Sequence, residues 1–178
     1  MKQTLLSGIF LFVLFESAVS SQDSLLYTNH IFSDKIKTVQ LYKEGWNLSY
    51  PVIRLGKNEK LTLQFDLIGN EAVTYYYSII HCDKYWKKSG IFYTDFQEGY
   101  SENQIEEYKP SFNTTVGYYH YKLTFPNERI TLKLSGNYIL LIYPQGEPDK
   151  PVITRRFMIT GYYQAKCNSP EAADDCKL

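Results

Sequence analysis

The chain has 178 residues, and its 19 Lys+Arg against 19 Asp+Glu give a formal net charge of zero. A nucleic-acid-binding domain normally carries a basic excess, and a disordered acidic chain would not reach the 44% hydrophobic content found here, so both classes are excluded. The 17 Tyr and 10 Phe favour β-strands, because aromatic side chains suit a pleated, half-buried surface.

Residues 1–20 have the pattern of a secretory signal peptide. Lys2 is followed by an apolar run that is too short to span a bilayer, which takes about 20 helical residues. Ala18 and Ser20 then supply the small residues of a cleavage site. We therefore expect export after cleavage near Ser20, with an extended lead-in over residues 21–35. The alternative, an N-terminal membrane anchor, would need a longer apolar run.

Strand patterns repeat through a predicted domain over residues 36–160. The expected strands cover residues 36–43, 49–55, 60–68, 73–82, 118–125, 130–134, 138–143 and 152–160. Residues 60–68 and 73–82 are expected to pair as a hairpin, and residues 103–108 to form one helical turn. About eight short strands, without a helix long enough for a βαβ unit, predict an all-β fold, an antiparallel immunoglobulin-like β-sandwich.

Two residues are predicted to be structural from their positions in these strands. Tyr138 ends a Ser-Gly-Asn-Tyr run that resembles the corner before strand F of immunoglobulin-like sandwiches, where a Tyr hydroxyl bonds back to the backbone. Arg155 alternates with Ile153 and Phe157 and so is expected on their buried face. A buried guanidinium needs a carboxylate or carbonyl partner.

The sequence offers little catalytic chemistry. His81 and Cys82 are neighbours in a predicted strand and point to opposite faces, so they are not expected to act as a dyad, and Cys82 is predicted to be buried. A zinc site would require the strands of His81 and His120 to pair, without support from any Cys-x-x-Cys or His-Glu-x-x-His motif. We predict two structural histidines and no catalytic, cofactor-binding or metal-binding residues.

Aromatic residues outside the core supply the interface candidates. Tyr76 and Tyr118 lie in runs that place Tyr on both faces of a strand, which favours either a binding face or ordinary β-surface Tyr. Trp86 lies in a Lys-flanked loop over residues 84–88. It is predicted to be an outward interface anchor whose truncation leaves stability nearly unchanged.

An ordered series of short motifs spans residues 27–160. The series is His81-Cys82, Trp86, Ser89, Phe96, Gly99, Ile105, Tyr108, Ser111-Phe112-Asn113-Thr114, Tyr119-His120-Tyr121, Pro126-Asn127, Ser135-Gly136-Asn137-Tyr138 and Arg155-Arg156-Phe157. In this order the motifs resemble the N-terminal domain of the type IX secretion system plug proteins.

This resemblance implies an exported, periplasmic protein of a Gram-negative bacterium, peripheral to the outer membrane. It implies docking to the outer-membrane translocon barrel to close the barrel's periplasmic mouth, with no catalytic residue, no cofactor, no small-molecule substrate and no nucleic acid. The runner-up is a secreted carbohydrate-binding β-sandwich module, in which Trp46 and Trp86 stack on sugar rings.

The sequence departs from the family pattern at two places. Tyr85 stands where the family is expected to have an acidic residue before Trp86. Family members are also expected to be longer, so residues 161–178 are interpreted as an irregular tail that arose by truncation or frameshift. Cys167 and Cys176 in this tail could pair in an oxidising compartment.

Overall fold

A computed structural model describes residues 25–161 of the chain. The predicted signal peptide over residues 1–20 lies outside the described residues. So do Cys167 and Cys176, together with the rest of the predicted tail beyond Gly161.

The described residues form short and long β-strands and a one-turn helix. The strands are β1 (His30–Ile31), β2 (Ile36–Lys43), β3 (Val52–Arg54), β4 (Leu61–Ile68), β5 (Tyr75–Cys82), β6 (Gln97–Gly99), β7 (Glu102–Gln104), β8 (Glu107–Pro110), β9 (Tyr118–Phe125), β10 (Ile130–Leu132), β11 (Gly136–Pro144) and β12 (Ile153–Thr160), and helix α1 is Tyr93–Phe96. The long strands β4 and β9 lie where side chains alternate between apolar and polar.

The strands assemble into two main sheets. Sheet A has the order β1-β12-β11-β5-β7. Strand β3 also pairs with β12, in parallel, on the same edge of the sheet as β1. Sheet B has the antiparallel order β2-β4-β9-β8. A separate pair, β6 with β10, lies beside them.

Aromatic contacts across the core show that the two sheets face each other. The Tyr75 ring of sheet A lies 5.6 Å from Phe65 and 5.2 Å from Tyr121, both in sheet B. Phe125 of sheet B lies 5.3 Å from Phe157 of sheet A. All five side chains are buried. The predicted all-β sandwich is confirmed, whereas the immunoglobulin-like topology stays a prediction.

The predicted hairpin of residues 60–68 with 73–82 is wrong. β4 pairs with β2 and β9, whereas β5 pairs with β11 and β7, so the connection between them crosses from one sheet to the other. The Tyr121 hydroxyl anchors this crossing, since it accepts from the Val73 amide at 2.9 Å and donates to the Val73 carbonyl at 2.7 Å.

The predicted helical turn over residues 103–108 is also wrong. These residues belong largely to β7 and β8, two short strands at the edges of sheets A and B. An edge strand pairs on one side only and can be mostly exposed, as β8 is, so its sequence need not alternate.

Several loops gather at one end of the sandwich, which we call the Cys82 end. Strand β5 ends there at Cys82, opposite Asn137 of β11. Sheet B reaches the same end at Phe125, which contacts Phe157 near the end of β12. The loop that follows Cys82 therefore lies at one end, and the loop between β8 and β9 lies at the other, beside Tyr118.

Tyr138 lies at the corner that leads into β11. Its hydroxyl donates to the Leu134 carbonyl at 2.7 Å, and its ring stacks on Phe157 at 5.2 Å. The ring also meets His81 edge-on at 4.9 Å. Tyr138 therefore ties the corner backbone to the centre of the core.

We predict that Tyr138→Phe lowers the free energy of unfolding by about 0.5–1.5 kcal/mol, because it removes the hydrogen bond and keeps the ring. Tyr143→Phe is the matched control, since the buried Tyr143 hydroxyl lies near Ser78 and Glu102 but makes no hydrogen bond of normal geometry in the described structure. Its loss is expected to leave stability nearly unchanged. Urea denaturation measures both, and equal losses in the two variants would contradict the role assigned to the corner bond.

Candidate functional site

The loop after β5, residues 83–88, is held in one conformation by its own hydrogen bonds. Asp83 Oδ1 accepts from the amides of Tyr85 at 2.8 Å and Lys87 at 2.9 Å, and the Asp83 amide donates to the Lys87 carbonyl at 2.8 Å. Asp is well suited to this position because its side chain can accept bonds from the backbone just after it. A β-bridge between Cys82 and Lys88 closes the loop.

Trp86 occupies an uncommon backbone conformation within this loop. Its φ is +62°, in the left-handed region that costs a non-glycine residue roughly 1–2 kcal/mol. The centre of the Arg156 guanidinium lies 4.3 Å from the centroid of the Trp86 ring. Such a cation–π contact contributes about 0.5–1 kcal/mol or more, which offsets part of the backbone cost. Trp86 is consequently half-buried.

Arg156 also binds the segment that precedes β1. Its Nε donates to the Tyr27 carbonyl at 2.7 Å, and its backbone amide donates to Asn29 Oδ1 at 2.7 Å. One residue of β12 therefore fixes both the N-terminal part of the described chain and the 83–88 loop.

The side chain that this loop presents to solvent is Tyr85, which is 70% exposed. Lys84 Nζ lies 4.9 Å from the centroid of the Tyr85 ring. Lys84, Lys87 and Lys88 are all exposed, and residues 25–161 place no carboxylate within salt-bridge distance of them. Phe92, 78% exposed, follows closely in the chain.

The other two predicted interface residues do not join Trp86 on one surface. Tyr76 is half-buried on the outer face of sheet A, near the start of β5 and opposite Tyr143. Tyr118 is half-buried on the outer face of sheet B, at the end of the sandwich remote from Cys82. The structure therefore places Trp86, Tyr76 and Tyr118 on three separate parts of the surface.

His81 and Cys82 lie on opposite faces of β5. The His81 ring is on the core side against Phe96 and Tyr138, and its Nδ1 is 2.8 Å from Ser89 Oγ. Cys82 faces outward yet is only 2% exposed. Burial, with a smaller contribution from Asp83, raises the pKa of the Cys82 thiol to about 11, so the thiol is protonated at neutral pH.

Arg155 binds backbone carbonyls. Its Nη1 donates to the His30 carbonyl at 3.1 Å and to the Thr154 carbonyl at 2.9 Å. Burial lowers the pKa of the guanidinium, and the carbonyl bonds compensate for part of its lost hydration.

The geometry keeps the two candidate zinc ligands apart. His81 belongs to sheet A, whereas His120 belongs to sheet B and binds Asp66 Oδ1 through Nδ1 at 2.7 Å. Among the described residues, no three His, Cys, Asp or Glu side chains cluster as metal ligands would. None of the helices in the described range combines the length and apolar character of a membrane span.

Two exposed apolar surfaces have no clear signal in the sequence. One is the connection between β2 and β3, where Trp46, Leu48 and Tyr50 are strongly exposed. The other is the loop between β8 and β9, where Phe112 is 93% exposed beside Val116. Apolar residues at every second position of a polar turn could have indicated the first surface.

Comparison with protein families identifies the family to which the chain belongs. Residues 36–161 match the family described as the type 9 secretion system plug protein 1st domain. The chain therefore belongs to this family, which confirms the resemblance drawn from the ordered motifs.

A solved structure shares the fold of this chain. A crystal structure of a hypothetical protein from Parabacteroides merdae superposes with a TM-score of 0.72 at 31% sequence identity. The match covers 75% of this chain but 34% of that one, so this chain spans about a third of that relative's length. The alkylpurine DNA glycosylase AlkC of Pseudomonas fluorescens, bound to DNA containing an abasic site analog, gives a TM-score of 0.36 at 12% identity over 70% of this chain and 30% of that one, a similarity too low to indicate a shared fold. No curated protein matches.

We predict that Cys82 resists thiol reagents in the folded protein. With a pKa near 11, roughly one thiol in a thousand is ionised at about pH 8, and the sulfur is also shielded. The measurement uses a Cys167→Ser/Cys176→Ser background, so that Cys82 alone can react. Labelling should occur only in denaturant, and Cys82→Ser should cost on the order of 1–3 kcal/mol. Rapid labelling of the native protein would show that Cys82 is accessible and reactive.

Proposed function

We propose that this chain is a non-enzymatic, periplasmic docking domain of type IX secretion, which binds the outer-membrane translocon barrel and helps to close its periplasmic mouth. The family match over residues 36–161 carries the proposal. Export would follow from the predicted signal peptide, which lies outside the described residues. Because the chain spans about a third of its solved relative, docking is the part of the function that we assign to this domain itself.

The loop over residues 83–88, which we call the docking loop, supports a protein-binding role. Aromatic residues are enriched at protein interfaces and often carry a large share of the binding free energy. Tyr85 is exposed on a loop whose backbone is already fixed by Asp83, so little conformational entropy is lost when a partner binds.

The carbohydrate-binding alternative is less well supported. One face of the Trp86 ring is covered by Arg156, and a sugar ring would have to stack on the other. Trp46 is exposed but belongs to a different loop. Family membership favours a role in type IX secretion. Titration of the intrinsic fluorescence with oligosaccharides tests the carbohydrate-binding alternative directly.

We predict that Tyr85→Ala weakens binding of the mature chain to the purified translocon barrel by about thirtyfold, corresponding to roughly 2 kcal/mol for an interface anchor. The melting temperature should not change, because Tyr85 is exposed. Trp86→Gly, which removes the ring and suits the left-handed backbone, should also weaken binding by loosening the loop.

Phe112→Ala is the matched control for both variants. Phe112 is an exposed aromatic at the opposite end of the sandwich, and its loss should leave the affinity unchanged. Surface-immobilised barrel and differential scanning fluorimetry provide the two measurements. If Phe112→Ala weakens binding and Tyr85→Ala does not, docking uses the other end; if wild type shows no binding, the proposed function is wrong.

A further inference from the structure

We infer that the docking loop recognises a carboxylate-rich surface of its protein partner. This inference rests on the proposed function and adds the chemistry of the surface that is bound. It is carried by three exposed lysines without a salt bridge in residues 25–161, which lie together on a loop of ordered backbone that also exposes Tyr85.

The lysines of the docking loop lie close together in the chain and form no salt bridge within residues 25–161, whereas the unpaired Lys35, Lys37 and Lys109 are scattered and several other cations of the domain are paired. Exposed or half-buried cations elsewhere form salt bridges within the described chain; the pairs are Lys43 and Arg54 with Glu59, Lys122 with Glu107, Arg129 with Glu106, and Lys150 with Glu147. Lys84, Lys87 and Lys88 form none there. The one acidic residue of the loop, Asp83, uses its Oδ1 for two backbone amides. The loop therefore presents three positive charges to solvent.

The loop also fixes the backbone positions from which these three side chains extend. Its backbone is closed by the hydrogen bonds of Asp83 and by the bridge between Cys82 and Lys88. Lys84 lies against the Tyr85 ring, so a cation and an aromatic surface are presented together. A carboxylate group on a partner could pair with the ammonium group while an apolar neighbour covers the ring.

A folded acidic protein surface fits this arrangement better than a lipid leaflet. Lys84 and the exposed Tyr85 ring form a combined cationic and aromatic surface, and aromatic residues are enriched at protein interfaces. The loop backbone is already ordered, so little backbone entropy is lost when a protein partner binds. We therefore assign the loop to a protein surface and treat anionic lipid as an outcome of the test.

The test reverses the three charges, Lys84→Glu/Lys87→Glu/Lys88→Glu, and measures binding of the mature chain to the purified barrel. The variant replaces three attractive ion pairs between lysines and carboxylates by repulsive ones, which should weaken binding roughly tenfold or more at about 50 mM salt. The loss should shrink at about 500 mM salt, where charges are screened over a few ångströms. Lys84→Gln/Lys87→Gln/Lys88→Gln should show a smaller loss of the same kind.

The matched control is Lys35→Glu/Lys37→Glu/Lys109→Glu, which changes the net charge equally at exposed lysines on or beside the strands of sheet B. Its affinity should stay within about twofold of wild type, because it alters only the overall charge of the domain. Equal losses in the two triple variants would overturn the inference, as would an unchanged affinity of the docking-loop variant.

Two further probes separate this inference from the proposed function. A deca-glutamate peptide should bind the wild-type chain saturably and the docking-loop variant more weakly, whether or not the barrel binds. If the barrel does not bind wild type, the proposed function fails and the peptide result alone decides the inference. Lysine-dependent binding to phosphatidylglycerol vesicles, with barrel binding unaffected by the docking-loop variant, would overturn the inference in favour of lipid.

Discussion

The guanidinium of Arg156 connects three distant parts of the chain. It stacks on Trp86, its Nε binds the Tyr27 carbonyl, and its own strand β12 lies in the middle of sheet A. Partial burial of the Arg156 charge costs free energy, and so does the left-handed backbone of Trp86. The contact between the guanidinium and the Trp86 ring offsets part of both costs. Lysine could not replace this arginine, because it has neither the planar group for stacking nor the Nε donor.

This contact helps to bury the outer face of sheet A. Thr154 is fully buried there and donates through Oγ1 to the Thr28 carbonyl at 2.7 Å, while Cys82 is buried near the docking loop. The central strand β11 is buried on both faces, including outward residues such as Ile139 and Leu141. The outer face of sheet B is different, since polar pairs such as His120 with Asp66 occupy it. The outer face of sheet A is thus largely buried, whereas the outer face of sheet B carries polar side chains.

Much of the fold could be predicted from alternation alone. Strands β4 and β9 alternate cleanly, and their inward residues build the core as expected. The pairing of strands could not be predicted in the same way, because an alternating strand can pair with any strand that buries the same face of the sheet. The crossing after Ile68 is accompanied by hydrogen bonds between the Tyr121 hydroxyl and the Val73 backbone, and Tyr121 is remote in sequence from Val73. The edge strands β7 and β8 carry no such pattern.

Less of the candidate site than of the fold could be predicted from the sequence. The Lys-flanked loop was recognisable, but the orientation of Trp86 depends on Arg156, seventy positions further along the chain. The turn formed by Asp83 exposes Tyr85 in place of Trp86, and no local pattern distinguishes these neighbours. Tyr76 and Tyr118 similarly share a composition signal but lie on opposite sheets.

The central claim is that the docking loop contacts the translocon barrel. The most direct measurement places a photo-crosslinking phenylalanine analogue at position 85 of the chain in the secreting bacterium, and a second one at position 112. The account predicts an ultraviolet-dependent adduct with the barrel from position 85 and none from position 112, because these exposed sites lie at opposite ends of the sandwich. A barrel adduct from position 112 with none from position 85 would contradict it.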